Sequence, residues 1–550
     1  MAVLALLVLP VLAVLAHIAF TGTGEDGEAR LTFQHFIDLL ANRRFYLSAW
    51  NSLLFSILTT AIATTVGGAL AWVVVRTNVR LGWLAFVTAI VSLGTPDVLR
   101  VAAMLFFFGR SGPINDLYRT LSGSTENLFD VYSLAGVVLI QSVLWISPVF
   151  LLMATVFRRA NGEMEEAARM SGASIVRCVW EISFRLAWPA IVGVALFIFI
   201  RNMESFDVPV LVGQPGRVYL LTTDIYLSMT ETPPQLGHAG AFSLVLVAVL
   251  SVLLAFYNRF SRNADRYVSV TGKSYRAQPF DLGRYRWVGT AIIVGCFLVV
   301  LVMPLIVSLW LALMPFAQPM RWSALQYATA DNFRIIAEDP QYLRLGINTI
   351  LVAAGAATAA ALVALACGWL VVRGKVGGRA IELMANVPIA FPGIVVGVAL
   401  LVVALAVPFP LYGSLTLIAI AFLIRFLPYA MRYTHSGVMQ IHRELEEAAA
   451  VAGATQWQVW RKIVFPLLLP ALASGWMFVF LLGANELSMS VLLAGARSQV
   501  MATAMFERWG AGQSVEVFAL GIVWSSAMAL VALAFYLAER RFVSNRGSAF

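Results

Sequence analysis

Apolar residues run in long, nearly uninterrupted stretches along this chain, separated by short polar connections rich in arginine. Twelve stretches stand out. The first six are Ala2–Phe20, 51–75, 83–109, 131–157, 186–213 and 239–257, and the second six are 287–316, 347–372, 380–407, 411–431, 467–495 and 517–537. Most exceed the roughly 20 residues a helix needs to cross the apolar core of a bilayer. Helix is the natural form for them, because it satisfies its own backbone polar groups where water is absent. The pattern predicts an all-α polytopic membrane protein of about twelve transmembrane helices. Pro96, Pro209 and Pro392 interrupt individual stretches, and a broken helix in a membrane is buried in protein or lines a cavity. The fifth and eleventh stretches are long and polar midway, which predicts a bent or re-entrant pair at each. No Lys or Arg precedes the first apolar stretch, so it reads as an uncleaved span rather than a secretory signal.

The second six stretches repeat the first six. Asn51-Ser52 corresponds to Asn348-Thr349, residues 71–76 to 368–373, Pro96 to Pro392, and Pro148 to Pro428. Glu204 followed by Gly213 corresponds to Glu486 followed by Gly495. An even number of spans per half gives both halves one orientation, related by a pseudo-two-fold axis along the membrane normal with a pathway between them. The expected division is a first membrane domain over 1–260, a polar basic linker over 261–285 and a second membrane domain over 286–550.

Composition excludes a soluble fold: 60% of residues are hydrophobic and 12% charged, against about 25% charged in soluble domains. The net charge of +9 raises nucleic acid as a partner, but its distribution argues against that. With the N-terminus inside, most Lys and Arg residues, from Arg76 and Arg80 to Arg540 and Arg541, fall in connections on the cytoplasmic side. Both termini are then cytoplasmic. Cys178, Cys296 and Cys367 lie in or beside spans at no metal or redox spacing and read as small buried hydrophobes. Among the five histidines, His435 and His442 read as solvated. The string Thr271-Gly272-Lys273-Ser274 mimics a phosphate-binding loop, but Tyr267 stands where that loop needs glycine, so it reads as basic linker. The G-x-x-x-G spacing of Gly393 and Gly397 indicates close helix packing and nothing more specific.

A ten-residue phrase occurs twice in the basic connections, as EEAARMSGAS at 165–174 and EEAAAVAGAT at 446–455. Glu-Glu-Ala-Ala is strongly helix-forming, and its acidic end suits a helix N-terminus. Gly172 and Gly453 then break or turn the helix. The alanines leave a slim face able to enter a groove on another protein. Two copies at equivalent places point to such docking rather than to a solvated surface helix.

At these residues the chain resembles the fused, two-domain permeases of type I ATP-binding-cassette (ABC) importers, whose signature is E-A-A, three residues, G, nine residues, then I-x-L-P. The second copy has Glu447-Ala448-Ala449, Gly453 and Ile463-Val464-Phe465-Pro466. The first has Glu166-Ala167-Ala168, Gly172 and Ile182, then departs with Phe184-Arg185. The resemblance implies two tandem six-helix repeats of the type I importer permease fold in a bacterial inner membrane. It assigns ATPase coupling to Glu165, Glu166, Ala167, Ala168 and Gly172, and to Glu446, Glu447, Ala448, Ala449 and Gly453. It implies two copies of a separate ABC ATPase and an extracytoplasmic substrate-binding protein as partners, with lipid around the spans. It also implies that ATP and Mg are bound by the ATPase and no cofactor by this chain, which is then not itself an enzyme.

Ionisable residues inside spans are costly and are therefore candidates for function. Glu204 and Asp207 in one half, Asn485 and Glu486 in the other, and Asp97 after Pro96 are the candidates for a translocation pathway. Carboxylates from both halves suit a cation. The competing reading is internal pairing, of Arg201 with Glu204 and of Arg100 with Asp97, each three residues apart on a helix. Residues 204–223 resemble the permeases of ferric iron importers, and hard oxygen ligands suit iron. Thiamine, polyamine and 2-aminoethylphosphonate importers share the layout. An ion-gradient-driven secondary transporter would account for twelve spans and buried carboxylates but not for the duplicated phrase.

Overall fold

The computed structural model describes residues 1–23, 29–159, 163–264, 279–374 and 377–547. Among the described residues ten helices are long and apolar enough to cross a membrane, or twelve spans if each of two helix pairs sharply bent at a short break is counted as one. The third span bends by 110° between Gly82–Gly94 and Asp97–Ser122, and the ninth by 100° between Gly378–Ala390 and Gly393–Ala406. Pro96 and Pro392 sit at these bends as N-caps of the second arms. Proline removes a backbone donor and disfavours helix in the residue before it, which fixes where each span breaks.

The expected breaks at the fifth and eleventh spans take another form. These helices begin earlier than the apolar pattern indicates, run as Val179–Met203 and Gln456–Ala484, and stop there. The chain then continues through a π-helical turn, Pro209–Gly213, in the first half and a short helix, Ser490–Leu493, in the second, to the helices Leu221–Thr230 and Met501–Gly510. The polar residues read as mid-span therefore lie just past a helix end. Two short antiparallel strands, Thr21–Thr23 and Ala29–Leu31, are an exception to the all-α expectation.

Duplication carries through to element lengths. Arg43–Arg76 and Pro340–Arg373 each have 34 residues, Leu134–Arg159 and Leu415–Gln440 each 26, and Phe184–Met203 and Phe465–Ala484 each 20. In each half the second, fourth and fifth spans pack together. The first span of each half also reaches across. Ala2–Phe20 packs on Gly393–Ala406, and Arg286–Phe297 packs on Gly82–Gly94. The bent spans thus lie against the opposite half, where protein rather than lipid surrounds their broken backbone. Most of the linker, including Thr271-Gly272-Lys273-Ser274, lies outside the described residues. Cys178 and Cys367 are buried free thiols and Cys296 is half-buried.

The Asn-Ser/Thr repeat has one task in both halves. Asn51 Nδ2 donates to Tyr219 O at 3.1 Å, and Ser52 Oγ accepts from Leu221 N at 2.9 Å. Asn348 Nδ2 donates to Gln499 O at 3.0 Å, and Thr349 Oγ1 accepts from Met501 N at 2.8 Å. Each second span therefore holds the start of the helix that follows the fifth or eleventh span. Removing one acceptor strands a buried N–H, at a cost of about 1–3 kcal/mol. Ser52→Ala and Thr349→Val should each lower the melting temperature of the purified chain in detergent. An unchanged melt would mean that these helices are held by other contacts.

Candidate functional site

Both phrases fold as short helices followed by a left-handed glycine. The first is Glu163–Met170 and the second Arg443–Val451, with Gly172 and Gly453 each at φ +82°. The chain then passes in both copies through a short helix and one π-helical turn, Val179–Ser183 or Trp460–Val464, into the next span. The departure at Phe184-Arg185 leaves this exit unchanged. π-turns of this kind recur at functional sites.

The first glutamate of each phrase is held by an arginine. Glu165 is buried, ion-paired to Arg76 at the end of the second span, and accepts from Ser183 Oγ at 2.6 Å. Glu446 takes Arg373 Nε at 3.0 Å, and Arg373 also donates to Ile441 O at 2.6 Å. Arg76 and Arg373 are the repeat-related last residues of the second and eighth spans. The first glutamate of each phrase thus fastens its helix to the membrane domain instead of facing outward. Glu447 is exposed, and its nearest cation is Arg443 at 3.9 Å.

The pathway candidates meet. Asp97, Glu204, Asp207, Asn485 and Glu486 all line one cavity of about 240 Å³ between the halves. Arg100 pairs with Asp97 and Arg201 with Glu204, as the spacing predicts. Arg425 also lines the cavity and donates to Glu204 Oε2 at 2.6 Å, a buried ion pair between halves. It stands alone within an apolar span, so the rule that ionisable residues in spans are candidates would have found it. Gln141 carries no charge and gave no such signal. Its Oε1, Asp207 Oδ1 and Asn485 Oδ1 are buried without a hydrogen-bond partner. Glu486 accepts from Ser488 Oγ and, at 3.2 Å, from Met489 N. Among the described residues no group of three or more His, Cys, Asp or Glu is arranged to hold a metal ion.

Pseudo-symmetry breaks at this cavity. The Pro148–Pro428 equivalence puts Trp145 where the other half has Arg425. Gly393 likewise stands where the first half has Asp97, and a Cβ there would collide with Ser488 Oγ at 1.9 Å. Among the described residues Glu204 is therefore paired to two guanidiniums and Glu486 to none. One helix gives the depth scale. On Leu415–Gln440 the cavity lies at Arg425 and Phe426, while a second opening of about 490 Å³ lies at Met431, Arg432, His435 and Ser436, roughly 10 Å further along. Arg425 also donates to Pro388 O at 3.2 Å and to Ile389 O at 3.5 Å, and Ile389 lines the second opening, so its pair with Glu204 lies between the two spaces.

A family model described as "binding-protein-dependent transport system inner membrane component" matches the chain twice, over residues 63–270 and 356–544. The chain belongs to this family. Each match contains one phrase, and the protein is a multi-pass inner-membrane permease of ABC importers with two tandem repeats of the fold. It is 27% identical over 497 residues to the ferric transport system permease protein FbpB of Actinobacillus pleuropneumoniae, covering 88% of this chain and 70% of that one. It is 27% identical over 226 residues to the putrescine transport system permease protein PotI of Escherichia coli, covering 40% of this chain and 78% of that one. Among solved structures, a bacterial ABC transporter involved in import of alginate aligns at 18% identity over 47% of this chain and 96% of its own, with a TM-score of 0.38.

Breaking a buried ion pair by removing one partner costs about 3–5 kcal/mol, because the other charge is left behind. Arg425→Met and Glu204→Gln should each destabilise the permease by an amount of that order. Residues in one network do not add, so the double variant should cost clearly less than the sum. Additive losses in detergent melts would show that the two side chains act separately.

Proposed function

We propose that this permease carries ferric iron into the cytoplasm, driven by two copies of a separate ABC ATPase and supplied by an extracytoplasmic binding protein. The observation that carries the coupling is the duplicated clamp, in which one glutamate of each phrase is fixed by the arginine ending the second or eighth span. The helices Glu163–Met170 and Arg443–Val451 are then rigid levers whose remaining faces, with Glu166, Ala167 and Ala168, and Glu447, Ala448 and Ala449, enter grooves on the ATPases. ATP and Mg bind those subunits, and this chain holds no cofactor. The levers' end of the molecule is cytoplasmic, as are both chain termini, and Leu221–Thr230 and Met501–Gly510 face the binding protein.

Movement of the levers passes through Arg76 and Arg373 to the second and eighth spans, and so to the packed bundle of each half. Separation of the halves breaks the Glu204–Arg425 pair and joins the cavity to the opening at Arg432 and His435. Asp97, Glu204, Asp207, Asn485 and Glu486 form the pathway wall. Iron as cargo is supported by the relative that shares both halves and by oxygen-rich walls suited to a hard cation. The cargo would pass without a resident metal site. A polyamine is the second reading, supported by the putrescine permease relative and by carboxylates that suit an ammonium group equally well.

Two measurements test this reading. Purification from the native membrane should recover an ATPase bound to the permease, and a chain recovered alone under mild detergent would argue against the coupling. In proteoliposomes with that ATPase and a candidate binding protein, ATP should drive uptake of ferric iron and not of putrescine. The reverse preference would select the polyamine reading. A non-glycine residue in the left-handed region costs about 1–2 kcal/mol, about tenfold in the population of the docked form. Gly453→Val, like Glu447→Ala, should therefore lower uptake per ATP hydrolysed while the chain still inserts. Full uptake by both variants would remove the coupling assignment from that half.

A further inference from the structure

The two levers are fastened differently. The end of the inter-half linker returns to the first lever and packs beneath it. Phe280 is 1% exposed. Its backbone bridges the connection after the second span, with Phe280 N donating to Arg76 O at 2.8 Å and Asn78 N to Phe280 O at 3.1 Å. Its ring lies 5.9 Å from that of Trp72, and the guanidinium of Arg169 lies over the Phe280 ring, 5.3 Å from its centroid. Arg169 belongs to the helix Glu163–Met170.

The neighbouring residues secure this seat. Asn78 Nδ2 donates to Asp281 Oδ1 at 2.6 Å, and Asn78 Oδ1 accepts from Leu282 N at 3.2 Å. Hydrogen bonds from Gly283 N and Asn78, with Arg286 and Arg169 nearby, hold the Asp281 carboxyl below its ordinary pKa. Three residues after Gly283 the chain enters Arg286–Phe297, the first span of the second half. That span packs on the same connection, because Val79 Cγ1 lies 2.6 Å from where a Cβ on Gly289 would stand.

The second lever differs at the matching points. The residue equivalent to Arg169 is Ala450. The equivalent of Trp72 is Trp369, over whose ring lies Arg373 of its own helix, at 5.9 Å. Among the described residues, the bridge of Thr77 with Phe280 is the one isolated backbone bridge. A contact made by the linker and the arginine able to receive it thus occur together at the first lever, whereas the second has Ala450 in place of that arginine, and residues 375–376, which match Asn78 and Val79, lie outside the described residues.

We propose that Phe280 is a positioning residue that ties the first lever directly to the first span of the second half, making the two ATPase docking sites mechanically unequal. This inference rests on the coupling reading above. Displacement of the first lever reaches both halves, its own through Arg76 and the other through Phe280 and the helix starting at Arg286. Displacement of the second lever is transmitted through Arg373 to its own half.

The test uses the reconstituted complex of permease, ATPase and binding protein, with uptake per ATP hydrolysed measured beside the melting temperature. Phe280→Leu keeps apolar volume but removes the aromatic face that attracts Arg169. Phe280→Leu and Arg169→Ala should each lower uptake per ATP about two- to fivefold, and the double variant should be no worse than either alone. Phe280→Tyr should restore the wild-type ratio. A merely structural role would move melting temperature and amount of chain, not the ratio or its rescue by Tyr. Additive losses in the double variant, or a wild-type ratio in Phe280→Leu, would overturn the proposal. Glu447→Ala serves as the control for the coupling reading. If it too keeps the wild-type ratio, the levers themselves are misassigned; if only the Phe280 and Arg169 variants keep it, the strut alone fails.

Discussion

Lipid solvates neither charges nor open backbone, and the structure depends on that constraint. Every long apolar run becomes a helix because no other local form closes its own hydrogen bonds. Where helices break, at Pro96 and Pro392, the opened backbone lies between the halves. The charges of the cavity obey the same rule. Asp97 and Glu204 sit beside arginines, and the pair of Glu204 with Arg425 joins the halves inside the protein. A contact that satisfies two buried charges is also one whose opening is costly, which suits it to hold two halves together until work is done on them.

Duplication supplies the scaffold and departures from it supply specialisation. The Asn-Ser/Thr pairs that hold the following helices, and the Glu–Arg clamps beneath the phrases, repeat in kind. Among the positions that do not repeat are Trp145 against Arg425, Asp97 against Gly393, and Arg169 against Ala450. The first two give the cavity walls of different charge on its two sides. The third lies where the linker returns. Fusion of two halves into one chain frees each to change alone, because one gene copy need not serve both positions.

The proposed levers show how one charged residue type divides its work. In each phrase the first glutamate is turned inward to an arginine, and in the second phrase the next glutamate, Glu447, is exposed. Adjacent helix positions are about 100° apart around the axis, so neighbouring identical residues necessarily face different partners. The phrase alone does not reveal which glutamate is which, since the answer depends on where the second span ends.

The spans, their number, the duplication and the paired phrases were legible in the chain, because apolar run length and local repetition are properties of sequence alone. The ion pairs of Arg100 with Asp97 and Arg201 with Glu204 were legible too, since a spacing of three residues on a helix brings side chains together. Tertiary structure decided what lies far apart in sequence. It brought Arg425 to Glu204 across 221 positions, turned Glu165 onto Arg76, seated Phe280 under Arg169, and made the breaks at Pro96 and Pro392 bends of 110° and 100°. Helix geometry fixes neighbours three and four residues away, whereas partners across a bundle are chosen by which helices pack and in what register, and that is set by the whole fold.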